Sequence, residues 1–197
     1  MRLACFVLAL TTMLGDPAAA LDARDRTFAP GRVGAIVKGV TKPADLARIY
    51  GARNIRREMM DELGGGDLHP GAYVFFKSAN SLEVHFTGKG KAISYVIVLG
   101  RNWKSKEGLR VGSTAADLER LNGGPFKFYG FGFDYGGQVF ASGPAFKGYT
   151  IYVKPTGDDQ AAIQELTKPE TQISSDHPAV ARAGLEVSFI HVHFGAQ

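Results

Sequence analysis

The chain of 197 residues holds one cysteine, Cys5, and one tryptophan, Trp103. Cys5 lies inside the apolar N-terminal run, so everything after that run is free of thiols. That excludes disulfides, thiolate metal sites and cysteine nucleophiles in one step. Also missing are a G-x-S-x-G elbow, an H-E-x-x-H helix, a Walker loop and an EF-hand loop. The paired acids Asp61-Glu62 and Asp158-Asp159 are adjacent rather than convergent and read as solvated positions. These absences weigh against an enzyme, although a site can be assembled from distant residues. Charge of one sign is scarce as well. With 23 basic and 19 acidic side chains the formal net charge is +4, a mild excess that favours solubility and weak attraction to anionic surfaces. Its densest basic stretch, Arg48, Arg53, Arg56 and Arg57, reads as a solvated helix end followed by the outer face of a strand. The minority reading is contact with anionic headgroups or polysaccharide.

One apolar run is present, at the N-terminus. Arg2 supplies a positive start, Leu3 to Leu14 is apolar apart from Thr11 and Thr12, and Pro17-Ala18-Ala19-Ala20 offers small residues for cleavage. The run is shorter than the roughly 20 residues a spanning helix needs. It predicts a cleaved signal peptide over residues 1–20, with the cut near Ala20, and a periplasmic or secreted product. Cys5 stands at the start of the run rather than just past its end, which disfavours lipidation. Residues 21–197 are then a single domain without a transmembrane segment, large enough to rely on an apolar core.

A short segment occurs twice, 72 positions apart (113 − 41). Thr41 to Gly51 aligns with Ser113 to Gly123, and Ala, Asp, Leu, Arg and Gly recur. Each copy predicts a short helix. Thr41 and Ser113 or Thr114 are N-cap candidates, Asp45 and Asp117 suit the first turn, and Gly51 and Gly123 suit the end. Leu46 with Ile49, and Leu118 with Leu121, mark the buried stripe. After the first helix, strands are expected at Asn54–Met59, Ala72–Phe76, Leu82–Phe86 and Ile93–Leu99, with a loop from Gly64 through Pro70-Gly71. After the second, strands are expected at Phe126–Tyr129, Gln138–Ala141, Tyr149–Lys154 and Leu185–Phe194. A helix is expected over Asp158–Leu166, with a further turn starting near Ser175 or Asp176. The short connections favour antiparallel meanders. The fold class is α+β: two pseudo-repeated helix-plus-antiparallel-sheet units, about 31–100 and 108–197, forming one compact domain.

Gly108-Leu109-Arg110-Val111-Gly112-Ser113, then Leu118-Glu119-Arg120-Leu121-Asn122-Gly123-Gly124-Pro125-Phe126 and Gly130-Phe131-Gly132-Phe133-Asp134-Tyr135-Gly136-Gly137, resembles the signature of an uncharacterised family of exported bacterial proteins. The resemblance implies export and no particular activity or catalytic residue. In layout alone, the helix-then-hairpin duplication is similar to secreted β-lactamase-inhibitor proteins and to small outer-membrane assembly lipoproteins, which are binding folds.

Three features carry candidate chemistry. The Gly130–Gly137 stretch has β-like flanks and no following helix, so a phosphate cradle does not fit. It reads as a bulged strand and turn, or as an aromatic binding surface with Asp134 and Tyr135 as polar handles. His191 and His193 stand two apart on a strand and share a face, a two-ligand arrangement for zinc or copper that lacks a third ligand. His85, with Glu83 on its own strand face, is the partner by residue type. The simpler account is half-exposed imidazoles at a strand end. His69 and His177 neighbour prolines, in loop or helix-entry contexts, with Asp176 an N-cap candidate. Trp103, in the link between the halves, either closes the core or presents a binding face.

The reading is an exported, non-catalytic binding protein of the cell envelope. Its partner is an envelope protein or an anionic small molecule or polysaccharide, not nucleic acid, met at Trp103, Phe131, Phe133, Asp134 and Tyr135 without a cofactor. The alternative is a metal-dependent hydrolase using His191, His193 and His85, with zinc as its cofactor. A second alternative is a purely structural envelope module.

Overall fold

The computed structural model describes residues 22–61, 68–87 and 90–194. The expected signal peptide lies outside the described residues. No helix among those described is long and apolar enough to cross a membrane. The elements run β1 Thr27–Ala29, β2 Arg32–Val33, β3 Ile36–Val37, α1 Leu46–Tyr50, β4 Ile55–Asp61, β5 Leu68–Val74, β6 Leu82–Thr87, β7 Ala92–Val98 and β8 Lys104–Ser105. They continue with α2 Ala115–Asn122, β9 Lys127–Tyr129, β10 Val139–Phe140, β11 Tyr149–Pro155, α3 Gln160–Leu166, β12 Gln172–Ser174, α4 Pro178–Ala183 and β13 Leu185–His193. The fold is α+β. A six-stranded antiparallel sheet in the order β11-β13-β7-β6-β5-β4 is joined by two small sheets, β3-β2-β1-β8 and β10-β9-β12.

The repeated segment proves to be a repeated helix start. The Lys42 amide donates to the Asp45 carboxylate at 2.9 Å, and the Thr114 amide donates to Asp117 at 3.0 Å. Arg48 pairs with Asp45 and Arg120 with Asp117, three residues on in both cases. Leu46 and Leu118 are fully buried beneath them. The capping bond and the neighbouring arginine hold both aspartates below the usual carboxylate range. The copies differ at the cap itself. Thr114 accepts from the Asp117 amide as expected. Thr41 does not cap α1: its hydroxyl donates to Ala35 O and accepts from the Val37 amide, tying down the preceding turn. A 3-10 turn at Pro43–Asp45 therefore precedes α1, which is only one turn and a half long.

Beyond the helices the halves diverge. The first continues as the meander β4-β5-β6-β7, while the second sends β9 and β10 to a separate sheet with β12 and returns only β11 and β13 to the large one. The halves share that sheet through β7 and β13, paired Val98 to Ile190, Ile97 to His191, Val96 to Val192 and Tyr95 to His193. Alternation along these strands sends Val96, Val98, Ile190 and Val192 to one face. There they join Leu46, Leu118, Leu166 and Val180 in a single apolar cluster drawn from both halves. Tyr95, Ile97, His191 and His193 face the other way.

Two local readings need correction. Pro70-Gly71 is not a loop, because β5 runs from Leu68 through both residues. Pro70 is tolerated because it falls outside the β5–β6 pairing, which begins at Gly71 opposite His85. Gly71 is required because the Met60 thioether lies where its side chain would be. The second misreading concerns α4. His177, not Asp176, is its N-cap, and its Nδ1 accepts from the Ala179 amide at 3.2 Å.

The shared sheet makes the halves one cooperative unit. Ile190→Ala at the seam is expected to remove about 2–5 kcal/mol of stability, with a single urea transition when tryptophan fluorescence and far-UV dichroism are followed together. Two separated transitions would show instead that the halves unfold independently.

Candidate functional site

The outward face of the large sheet carries a row of rings that crosses four strands. His69 on β5, His85 on β6, Tyr95 on β7, and His191 and His193 on β13 follow one another at centroid separations of 4.8, 4.2, 4.1 and 4.4 Å. Four of the five histidines in the chain are in this row. Strand pairing places them. His85 is opposite Tyr95, and Tyr95 is opposite His193, so side chains of the same parity meet on one face.

Hydrogen bonds fix the protons at one end. His85 is fully buried, and its Nε2 lies 2.8 Å from Glu83 Oε1. An ionised carboxylate can only accept, so Nε2–H donates. In the neutral ring Nδ1 then offers one lone pair, with the Tyr95 hydroxyl at 2.8 Å and His69 Nε2 at 2.6 Å beside it. At the other end Thr150 Oγ1 is 2.8 Å from His193 Nε2. The middle is less well supplied. His191 is 5% exposed, and its Nε2 has no hydrogen-bond partner among the described residues. Burial, with the nearby His193 and His85 adding to it, pushes the His191 imidazole down to about 3. Burial lowers His193 as well.

The three proposed zinc ligands thus share a face, but His85 spends both ring nitrogens on Glu83, His69 and Tyr95, and His191 and His193 stack at 26° instead of converging. Among the described residues no group of three or more His, Cys, Asp or Glu is arranged to hold a metal ion. The row is also poorly suited to nucleophilic chemistry. Tyr95 and His85 are buried against one another, and a reaction needs space beside the nucleophile for the reacting atom.

His193 reaches further than the row. With Tyr149 it lines a cavity of about 460 Å³ at the start of β11, bounded by Pro30, Gly31, Pro144 and Gly148. Two lysines, Lys38 and Lys147, and a single acid, Glu107, are also among its lining residues. Gly148, at φ 84°, lets the wall close onto Pro30, since a Cβ there would stand 2.9 Å from the proline ring. Burial, and then the charge of Glu107, raises the Tyr149 phenol to about 12, so it stays protonated and serves as a donor.

The expected ligand surface is only partly assembled. Trp103 is fully buried: its Nε1–H donates to Asn80 O at 3.0 Å, Arg26 lies 5.0 Å from its ring, and Gly34 leaves room for that ring. It closes the core and offers no binding face. Gly130–Gly137 forms a turn between β9 and β10. Phe131 packs against Phe128 in the core, while Phe133 meets Tyr129 at 5.5 Å and Tyr135 at 6.3 Å. Asp134 and Tyr135 are exposed at the tip. Gly137 is needed because any side chain there would run into Val153 O.

Sequence reasoning missed His69 and Tyr95. A strand read back through Pro70 would have put His69, Gly71 and Tyr73 on one face beside His85.

The low His191 value has a definite sign. Between about 3 and the ordinary value near 6.5, the unfolded chain carries the proton and the folded chain does not, so acid favours unfolding in that window and not above it. Urea midpoints should therefore fall as pH drops from 7 to 4. His191→Leu is expected to flatten the fall, and an unchanged pH profile in that variant would contradict the assignment.

No family model matches the chain, and no curated protein matches it. Among solved structures it is similar to the uncharacterized protein yfeY from Escherichia coli, at 17% identity over 77% of this chain and 88% of that one, with a TM-score of 0.46.

Proposed function

We propose that the protein is an exported, non-catalytic binding protein of the cell envelope, and that its ligand is a small organic or phosphate-bearing anion held in the cavity beside His193. The observation that carries this reading is the make-up of the cavity. Two lysines, Lys38 and Lys147, and one acid, Glu107, line the space together with Tyr149 and His193. About 460 Å³ lies within the range of small-molecule sites, roughly 300–1,000 Å³. Both lysines are exposed, so they add attraction and on-rate, while neutral donors fix orientation. With Tyr149 raised to about 12, its phenol stays protonated at neutral pH and acts as a donor rather than a nucleophile, which supports binding over catalysis. The export half of the proposal rests on Arg2 to Ala20, outside the described residues.

Isothermal titration with pyrophosphate and with citrate tests the cavity. Binding that weakens with added salt is expected, and Lys147→Glu should weaken it by at least about tenfold without moving the thermal midpoint. No heat with either anion, or equal affinity in the variant, would overturn the assignment.

A further inference from the structure

At the far side of the large sheet from this cavity, β4 is the terminal strand, and it is built differently from the other edge. On β11 the chain itself covers the edge: Gln138 bridges to Tyr152, and the Val153 amide donates to Gly137 O at 2.8 Å. No described strand pairs with the outer side of β4. The Phe75 amide donates to Asn54 O at 2.9 Å, which makes 54 with 75 a hydrogen-bonded pair. Antiparallel pairs alternate, so 56 with 73, 58 with 71 and 60 with 69 are also hydrogen-bonded pairs. Ile55, Arg57 and Met59 therefore turn these groups away from β5; the Ile55 N–H is taken by Ala52 O, which leaves the Ile55 carbonyl and both backbone groups of Arg57 and Met59 on the outer side.

Natural sheets usually shorten, cover or distort such an edge. Here seven residues run without a register shift, and hollows flank the strand at both ends. One of about 440 Å³ is lined by Arg57, Met59, Pro70 and Phe86. The other, about 240 Å³, is lined by Arg53, Ile55, Arg56 and Phe76. Met59 is 56% exposed, and Phe76 is 37% exposed beneath Arg56 at 4.4 Å and Lys77 at 5.3 Å. The charge along this rim is positive on balance, with Arg53, Arg56, Arg57 and Lys77 against Glu58 and Asp61. Arg56 is paired with Glu58, while Arg53, Arg57 and Lys77 have no ion pair among the described residues. This cationic excess favours an acidic occupant.

We infer that the β4 edge is a docking site for an extended, acidic segment of another protein, which adds to the sheet as a seventh strand. Its backbone bonds to the Ile55 carbonyl and to the N–H and C=O groups of Arg57 and Met59, and its alternate side chains enter the two hollows, the division of labour that strand addition uses elsewhere. The site is separate from the anion cavity and stands whether or not that cavity binds anything.

The test uses the full chain and an eight-residue peptide of alternating glutamate and valine, with alternating glutamine and valine as control. Amide hydrogen exchange by NMR should show the Arg57 and Met59 amides slowed at least about tenfold by the acidic peptide and much less by the neutral one. Met59→Pro deletes an outward N–H without touching the β5 ladder, as proline on an edge strand allows. It should weaken binding by about tenfold or more, as should Arg53→Glu with Lys77→Glu. Both variants should keep the parent thermal midpoint, and Lys147→Glu in the cavity should bind the peptide unchanged. The inference is overturned if the outward amides are not protected, or if Met59→Pro binds as the parent does. It is equally overturned if sizing shows a dimer in which these amides are already protected. Binding of anionic phosphatidylglycerol vesicles that is lost in the same variants, with no peptide binding, would assign the edge to a membrane and overturn it as well.

Discussion

The pairing of β7 with β13 is the constraint on which the rest depends. It joins two chain halves that otherwise build different sheets, and it does so with buried aliphatic side chains on one face and rings on the other. Val98 against Ile190 and Val96 against Val192 close the apolar cluster that receives α1, α2, α3 and α4. The same register brings Tyr95 beside His193 and Ile97 beside His191. A slip of one residue would send imidazoles into the core and valines outward, so the register is strongly specified.

The ring row follows from that register and sets what the outer face can do. Offset and tilted aromatic pairs contribute about 0.5–1.5 kcal/mol each beyond their buried area. Against this stands His191, whose buried Nε2 has no partner among the described residues, a cost of about 1–3 kcal/mol. Polar rings in a tight row are therefore a poor place for chemistry but a firm support. They hold His193 at the end of β13, where Thr150 and the cavity meet it. Firm placement of neutral donors is what selective binding of a small anion requires.

Much of this architecture could be read from local chemistry. The Asp-Leu-x-Arg repeat marked two helix starts because capping and burial are local, and Asp45 and Asp117 do the same work in each. Most strands were visible as alternation, and the Gly-aromatic stretch was a turn as its glycines suggested. What could not be read was long-range. The residues around Trp103 are polar, yet the ring is covered by Gly34, Arg26 and Asn80, all far away in sequence. The small sheet of β1, β2, β3 and β8 is made of strands two or three residues long, too short to show a period. Pro70-Gly71 carries a turn signal that strand pairing overrides. His69 was hidden with it, and the row of rings lost its first member.

The claim that the cavity beside His193 is the working site is tested most directly by mapping amide and imidazole shifts of the labelled protein as pyrophosphate is added. The account expects saturable changes at Gly31, Gly148, Tyr149 and His193, with the His85 ring unmoved. Changes confined to the Phe133–Tyr135 turn, or changes that follow ionic strength alone, would contradict it.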